Sequence, residues 1–543
     1  MRFSTLPRSA PADKQTIGDG WLRFNVRDFG ATGSGATLDS TAINAAIQAA
    51  AASGGGTVYV PAGTYLCFSI RLLSNVQLFL SRGSTILAAN SPLPGQPAGE
   101  LGGVYDSAEP QDPACEAYQD HGHNHWHNSL IWADGQSKIG IDGPGKIHGL
   151  GLSSGFPSGP GSQFDSAQQG VGNKAIALKN CHDVTLRDFS ILQGGWFGIL
   201  LTGVSNVTID NLRIDTNRDG IDIDCCRNVH VSKCTVNSPW DDGICLKSSY
   251  ALGFLVPTQD VTITSCTVSG CYKLGTVENG DFEKFDGGPH ENGNPAFYGR
   301  IKLGTESNGG FQRITIANCI FEGCNGLAIE SVDGATCEDV VITNLAMRDL
   351  VTGPLFVILG NRLRGPAGTT VGAVRRILVS NVVASNCDAD YTNIISGVVD
   401  AEGVTHRIED VKIANFYMQQ KGGGTAAQAN LLPPEFNSPG VGDYPDPTIF
   451  GPMPAQGFFL RHIQNLEMSH VHIASVVVDH RRPFVAQDVD HASWIGITVP
   501  PENVGAAFAL WPEADPAVND WHVHASQANG YVDVDEAAGA SFT

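Results

Sequence analysis

A short phrase recurs along the chain: a polar residue, a β-branched residue, any residue, a second β-branched residue, then a polar stretch holding Asn, Asp or Cys. It reads DVTLRDFSI from Asp183, NVTIDNLRI from Asn206, NVHVSKCTV from Asn228 and DVTITSCTV from Asp260. It continues as RITIANCIF from Arg313, DVVITNLAM from Asp339, RILVSNVVA from Arg376 and DVKIANFYM from Asp410. Alternation with period two is the pattern of a half-buried strand. The first β-branched residues Val184 and Val207 are 23 apart, Val207 and Val229 are 22 apart, and Ile314 and Val340 are 26 apart. Longer gaps read as repeats that carry loops. A period in the twenties, with short β runs and no helix between them, predicts a β-solenoid with one coil per repeat. The Leu-x-x-Leu-x-Leu frame of a leucine-rich repeat is missing.

Ahead of the repeats the period changes. DSTAINAAIQAAAASGGGTVYVPAGTY, from Asp39, has helical spacing and then strand alternation. Ser40 is a candidate helix cap, and Gly54 to Gly56 end the helix. Such a helix would cover the open end of the solenoid, whose unpaired edge invites aggregation. The organisation expected is one continuous domain: a tail over 1–20, a cap and first coils over 21–130, and coils over 131–543. Insertions are expected at 272–298 and 420–455, the latter rich in Gly and Pro, with another long loop over 90–125.

Composition adds limits. A length of 543 residues alone suggests several domains, but a solenoid removes that need. Charged residues are only 16% and glycines number 64, which favours a turn-rich β protein. Lys and Arg total 33 against 55 Asp and Glu, a net charge of −22. That argues against sequence-independent nucleic-acid binding, which needs a positive surface, and against long-range attraction of a polyanion. No apolar run of about 18 residues occurs, so no spanning helix and no membrane partner is expected. The start, MRFSTLPRSAPADKQTIGDG, is basic but lacks the apolar stretch of a signal peptide. The expected location is the periplasm or outside the cell, with the cytoplasm as the alternative. The 13 cysteines read as buried free thiols, and Cys225-Cys226 lacks metal-ligand spacing.

Carboxylates crowd one stretch. NRDGIDIDCCRNVHVSKCTVNSPWDDGICLKSS, residues 217–249, contains Asp219, Asp222, Asp224, Asp241 and Asp242. Counting from the repeat markers, Asp219 and Asp241 each follow their valine by 12 residues, which stacks them on consecutive coils. Aligning DGIDI with DGICL stacks Asp219 on Asp242 instead. Either register gathers three carboxylates about 4.8 Å apart at the backbone. Asp222 and Asp224 read as strand-ending residues that bond turn amides. The stacked trio is costly without basic neighbours; calcium binding is one use for it, and general acid and base chemistry is the leading one. Trp196, one coil earlier, is a candidate sugar-stacking surface.

In this order the motifs resemble glycoside hydrolase family 28, the polygalacturonases and rhamnogalacturonan hydrolases. The resemblance runs from FNVRDFGATGSGATLDSTAINAAIQ through WHNSLIWADG to NGLAIESVDGATCEDVVITN. It implies an all-β, right-handed parallel β-helix and inverting hydrolysis of galacturonosyl bonds, without a cofactor or catalytic metal. Asp241 would protonate the leaving oxygen, while Asp219 and Asp242 activate water. Three positions depart from the family pattern. Arg218 replaces Thr in Asn-Thr-Asp; Gly299 stands where a histidine is expected; and Ala328-Ile329-Glu330 falls where the family has Arg-Ile-Lys. Substrate contacts are expected from Trp196, Asn217, Lys247, Tyr298, Arg300, Lys302, Glu330 and Arg362. Glu330 would repel a galacturonate carboxylate, which turns the expectation toward rhamnogalacturonan-type or branched pectin.

Other histidines and arginines remain open. His121, His123, His125 and His127 alternate, and would share one face if the segment were extended. They read as a metal set, a substrate lining, or packing. His290 is a candidate replacement for the missing histidine, and Arg364 joins Arg362 as a carboxylate reader or a solvated turn residue. Two other functions compete with a hydrolase: a calcium-dependent β-helix polysaccharide lyase, and a non-catalytic glycan-binding β-helix of the tailspike kind. The long loops predict a walled pocket and action from a chain end on a poly- or oligosaccharide. Inversion predicts a wide separation of acid and base, and splayed Asp241 and Asp242 tips produced by a bulge.

Overall fold

The computed structural model describes residues 15–17, 21–287, 296–435 and 444–499, with short strands at 508–511, 521–524, 532–534 and 540–542. His290 lies outside these residues. Parallel pairings climb the molecule coil by coil, as a solenoid requires. One coil is Phe197–Thr202, Ser205–Asp210 and Arg213–Asp215. The next is Asp219–Asp224, Arg227–Ser232 and Thr235–Asn237. After these come Ile244–Ser248, Thr258–Thr264 and Thr267–Ser269, then Ile301–Ser307, Phe311–Ala317 and Ile320–Glu322.

The predicted repeat is the register of the ladder. Val184, Val207, Val229, Val261, Ile314, Val340, Ile377, Val411 and Leu466 pair in sequence to form one column. Every member is at most 2% exposed, so each coil buries the same face against the coil above. The polar residue that opens each phrase has a separate task. Asp183, Asn206, Asn228, Asp260, Asp339 and Asp410 all have φ between 55° and 60°, the left-handed region that Asn and Asp enter most readily among non-glycines. A second left-handed residue follows five positions later, as at Asp188, Asn211, Asn318, Asn344, Asn381 and Asn415. The polar frame of the repeat thus turns the chain, and its β-branched residues fill the interior.

The helix Ser40–Ala52 buries Ala42, Ile43, Ala46, Ile47 and Ala50 in the core that runs the length of the solenoid. Ser40 does not cap it. Asp39 occupies the cap position, while Ser40 Oγ accepts the Phe68 N–H at 2.8 Å and ties the helix to a neighbouring coil. All thirteen cysteines are buried and unbridged, which bears out their reading as small apolar core residues.

Candidate active site

The strand pairings decide between the two possible registers of the aspartates. Ile221 pairs with Ile244 and Asp222 with Cys245, and Gly220 N–H donates to Asp242 O at 3.0 Å. Asp219 therefore stacks on Asp242, not on Asp241. Asp241 and Asp242 lie in the turn before Ile244–Ser248, so strand alternation does not apply and no bulge separates their tips. One carboxylate oxygen of each of Asp219, Asp241 and Asp242 lies within 4.8 Å of the others. At these oxygens the acids approach more closely than the separation expected for an inverting pair. Such a cluster has the spacing of a cation site, but side chains already supply the positive charge. Arg218 Nε sits 3.0 Å from Asp241 Oδ2, Arg300 Nε 2.9 Å from Asp242 Oδ1 and Lys302 Nζ 3.2 Å from Asp242 Oδ2.

A cavity of about 200 Å³ opens over this trio. Asp219, Asp241, Asp242, Lys247, Tyr298 and Arg300 line it, as the sequence suggested. It is also lined by Asp120, His123, Phe156, Arg218, Trp240, Glu306 and Tyr444. Asp120, Tyr298 and Tyr444 each come from one of the three long insertions, 90–125, 272–298 and 420–455. Each insertion thus puts at least one side chain on the cavity wall.

The electrostatics are uneven. Asp219 is 2% exposed and its Oδ1 has no hydrogen-bond partner. Burial, then the charges of Asp222 and Asp241, push its carboxyl well above the ordinary aspartate range, with Lys247 and Arg218 opposing. Burial acts on Asp242 too, but Lys302, Arg300 and Lys247 outweigh it and hold that carboxyl below the ordinary range. The stacked pair is therefore split, with Asp242 ionised and Asp219 keeping a proton to higher pH.

Several expected substrate contacts turn out to be supports. Lys302 and Glu330 are fully buried, 3.2 Å apart. Glu330 also pairs with Arg300 at 3.1 Å and accepts from Thr305 Oγ1 at 3.0 Å. It cannot repel a substrate acid from there; it balances the two cations that hold Asp242. Lys302 donates to Tyr444 Oη at 2.5 Å, pinning an insertion to the site. Arg362 is bound to Asp333, Nε to Oδ1 at 2.9 Å, and Asn217 Nδ2 donates to Pro160 O at 2.8 Å. Trp196 is packed with Trp126, Phe197 and Leu200, and the Arg218 guanidinium covers its ring at 4.4 Å. It offers no sugar platform; the aromatics lining the cavity are Phe156, Trp240, Tyr298 and Tyr444.

A second ion network lies beside the trio. Glu306 receives Lys247 at 3.1 Å and Arg364 at 2.6 Å, with Arg362 at 3.8 Å. Burial would raise its carboxyl, but Lys247, His123, Arg364 and Arg362 hold it well below the ordinary range. Asp222, 3.8 Å from Lys247, is fully buried and both its oxygens lack hydrogen-bond partners. Burial raises its carboxyl strongly. Asp224 behaves as expected of a turn residue, accepting from Ser249 N at 2.8 Å and Ser249 Oγ at 2.6 Å.

The four histidines do not share a face. His121 and His125 stack with ring centroids 4.2 Å apart, and His127 stacks on Trp132 at 4.0 Å. Burial, with His125 and Lys174, brings His121 down to about 4. Only His123 reaches the cavity, edge-on to Phe197 at 4.8 Å, and burial together with Lys247 keeps its imidazole neutral. Sequence reasoning passed over Arg218, Glu306 and Trp240 as site residues. For Arg218 the signal is its departure from Asn-Thr-Asp.

Comparison with known proteins agrees with this architecture. Residues 151–288 match the right-handed beta helix region family, and residues 23–92 match the family described as rhamnogalacturonase A/epimerase, pectate lyase-like. Over these segments the chain is similar to right-handed beta helix and pectate lyase-like proteins. A probable polygalacturonase of Vitis vinifera is 26% identical over 280 residues, 47% of this chain and 52% of that protein. A mannuronan C5-epimerase of Azotobacter vinelandii is 69% identical over 44 residues, 8% of this chain and 2% of that protein. The chain thus spans about half the length of the grape relative and a small fraction of the epimerase. A family 28 exopolygalacturonase of Yersinia enterocolitica superposes with TM-score 0.60 at 18% identity, covering 91% of this chain and 83% of that one; this likeness concerns the fold. No helix among the described residues is long and apolar enough to cross a membrane.

Proposed function

We propose that this family 28-like chain is an inverting glycoside hydrolase that cleaves α-galacturonosyl linkages of pectic oligo- or polysaccharide from a chain end. The observation that carries the reading is the split charge of three carboxylates within 4.8 Å of one another in a single cavity. Asp241 is the acid for the leaving oxygen. The Asp219–Asp242 pair holds the attacking water, with Asp242 ionised to take its proton.

The close spacing does not argue for retention. A retaining enzyme needs a carboxylate that attacks the sugar carbon. Both Asp242 oxygens face cations, Arg300 and Lys302, and Asp241 Oδ2 faces Arg218. Asp219 keeps its proton. None is a bare nucleophile, whereas two stacked carboxyls can grip one water between them.

Action from a chain end is supported by the side chains that the three insertions add to the cavity wall, since loops this long in a compact fold are usually functional and a walled cavity excludes an internal segment of polymer. Specificity for rhamnogalacturonan-type or branched pectin loses its argument, because Glu330 is buried beneath Arg300 and Lys302. Arg218, Lys247 and Arg300 bring cations to the cavity wall in a chain of net charge −22, each beside an acid it pairs with.

The test is incubation with galacturonic acid oligosaccharides and with branched pectic fragments. Products are identified by mass, and the first-formed anomer by proton NMR. Saturated products released one unit at a time, with the anomeric configuration opposite to the substrate's, are expected. Unsaturated products would establish a lyase, retained configuration would overturn the roles given to the aspartates, and no cleavage would leave a binding protein.

A further inference from the structure

Arg218 is held more firmly than a substrate-facing side chain needs to be. Its guanidinium lies 4.4 Å from the Phe156 ring and 4.4 Å from the Trp196 ring. Nε donates to Asp241 Oδ2 at 3.0 Å and Nη1 to Ser154 O at 3.3 Å. These bonds use two of the five N–H donors of a guanidinium, and the side chain lines the cavity. The consequence falls on Asp241. Its Oδ2 accepts from Arg218 and its Oδ1 accepts from the Asp242 N–H at 3.0 Å. A carboxyl that accepts at both oxygens is arranged as a hydrogen-bond acceptor, yet the acid of a glycosidase must present an O–H to the leaving oxygen.

We propose that Arg218 couples the charge of the substrate to the acid: a uronate carboxylate entering the cavity takes over the clamped guanidinium and releases Asp241 Oδ2 to bear the proton it donates. This rests on the reading of Asp241 as the acid and deepens it by naming the chemical feature the site waits for. Guanidinium and carboxylate match in a two-point fork, and the aromatic faces keep the fork in place while its partner changes. Asp241, freed, takes a proton from solvent and gives it to the glycosidic oxygen as the C–O bond breaks with its electron pair on that oxygen. Water attacks the anomeric carbon and loses its proton to Asp242. Asp241, now a carboxylate, returns to Arg218 when product leaves, and Asp242 gives its proton back to solvent. A neutral sugar cannot make the exchange, so it meets an acid still held as an acceptor. Arg218 is in this account a positioning and specificity residue.

The experiment compares wild type, Arg218→Thr and Arg218→Lys, as full chains checked by circular dichroism, on two substrates with one alkyl leaving group: an α-galacturonide and the matching α-galactoside. Wild type is expected to prefer the galacturonide by 100-fold or more in kcat/KM. In Arg218→Thr the KM for the galacturonide rises while kcat on the neutral galactoside increases, so the preference shrinks at least tenfold. Arg218→Lys, which keeps charge but loses the fork and the stacking, shrinks it too. Misfolding cannot raise a rate, so the gain on the neutral sugar separates coupling from a structural role. An unchanged preference in a folded, active Arg218→Thr overturns the coupling while leaving the hydrolase reading intact. Wild type inactive on both sugars overturns both.

Discussion

Asp183, Asn206 and Asn228 stand one above another on a corner of successive coils, with Asn206 Nδ2 donating to Asp183 Oδ1 at 2.9 Å and Asn228 Nδ2 to Asn206 Oδ1 at 3.0 Å. On the other corner, five residues along each phrase, Asn344, Asn381 and Asn415 repeat the device higher up, each donating to the Asn below at 3.0 to 3.1 Å. Asp219 on Asp242 has the same coil-on-coil geometry, yet Asp219 Oδ1 bonds nothing and the two carboxyls are displaced in opposite directions from the ordinary aspartate range. The solenoid imposes stacking on every polar column. An amide column settles it because each side chain has a donor for the acceptor beneath. A carboxylate column has only acceptors, so it must import cations, hold protons or remain unsatisfied. This one does all three. Stacked amides mark architecture here, and stacked acids mark chemistry.

The sharpest break in that comparison is Asp241→Asn. It preserves the shape and one acceptor oxygen but has no proton to give the leaving oxygen, so turnover should fall by roughly 100-fold or more, the scale of general acid catalysis. Initial rates on galacturonic acid oligosaccharides measure it. An unchanged rate in a folded variant removes Asp241 from the mechanism.

Glu306→Gln attacks the imported charge. It leaves Lys247, Arg364 and Arg362 gathered around a neutral amide in a buried site. Breaking a buried ionic group from one side typically costs about 3–5 kcal/mol. Denaturant unfolding should show a loss on that scale, together with impaired activity through Lys247.

Much of this contrast is legible in the sequence. The solenoid, its register column and the convergence of Asp219, Asp241 and Asp242 follow from a strict local pattern, because each coil repeats the same backbone task. The partners of those acids did not follow. Lys302 and Glu330 sit on different coils and meet only because their strands pair, Lys302 opposite Ala328. Trp196 looked like a sugar platform because sequence spacing gives a coil position but not what packs on it. The histidines failed for a related reason: their segment is a loop rather than a strand, so alternation in sequence did not become a shared face.

Asp222→Asn and Asp219→Asn probe the protons held by the acid column. Burial raises both carboxyls in the folded state. The folded protein therefore binds these protons more tightly than the unfolded chain, and each acid subtracts stability as pH rises from about 4 through its folded value. An asparagine has no charge to desolvate. Each variant should therefore melt at or above wild type at pH 7, by a few degrees at most, with the gain vanishing near pH 4. Asp219→Asn should also lose activity, the usual trade at a strained site. A lower melting temperature at pH 7 than at pH 4, relative to wild type, would show that these acids are satisfied after all.

The smallest effect belongs to the amide column, where two replacements of one residue separate the bond from the backbone. Asn228 holds φ at 55° and donates to Asn206. Alanine removes the bond and also places a Cβ in left-handed backbone, which costs about 1–2 kcal/mol in an L-residue. Glycine removes the same bond but enters that region freely. Asn228→Ala should therefore lower the melting temperature measurably, and Asn228→Gly by less, because an exposed hydrogen bond contributes only about 0.5–1.5 kcal/mol net. Both should keep wild-type turnover, since Asn228 is not among the residues that line the cavity. If glycine cost as much as alanine, the column would be holding the coils together by its amide bonds rather than by the turn they decorate. If either variant slowed catalysis, the division between an architectural stack and a chemical one would fail at its quiet end.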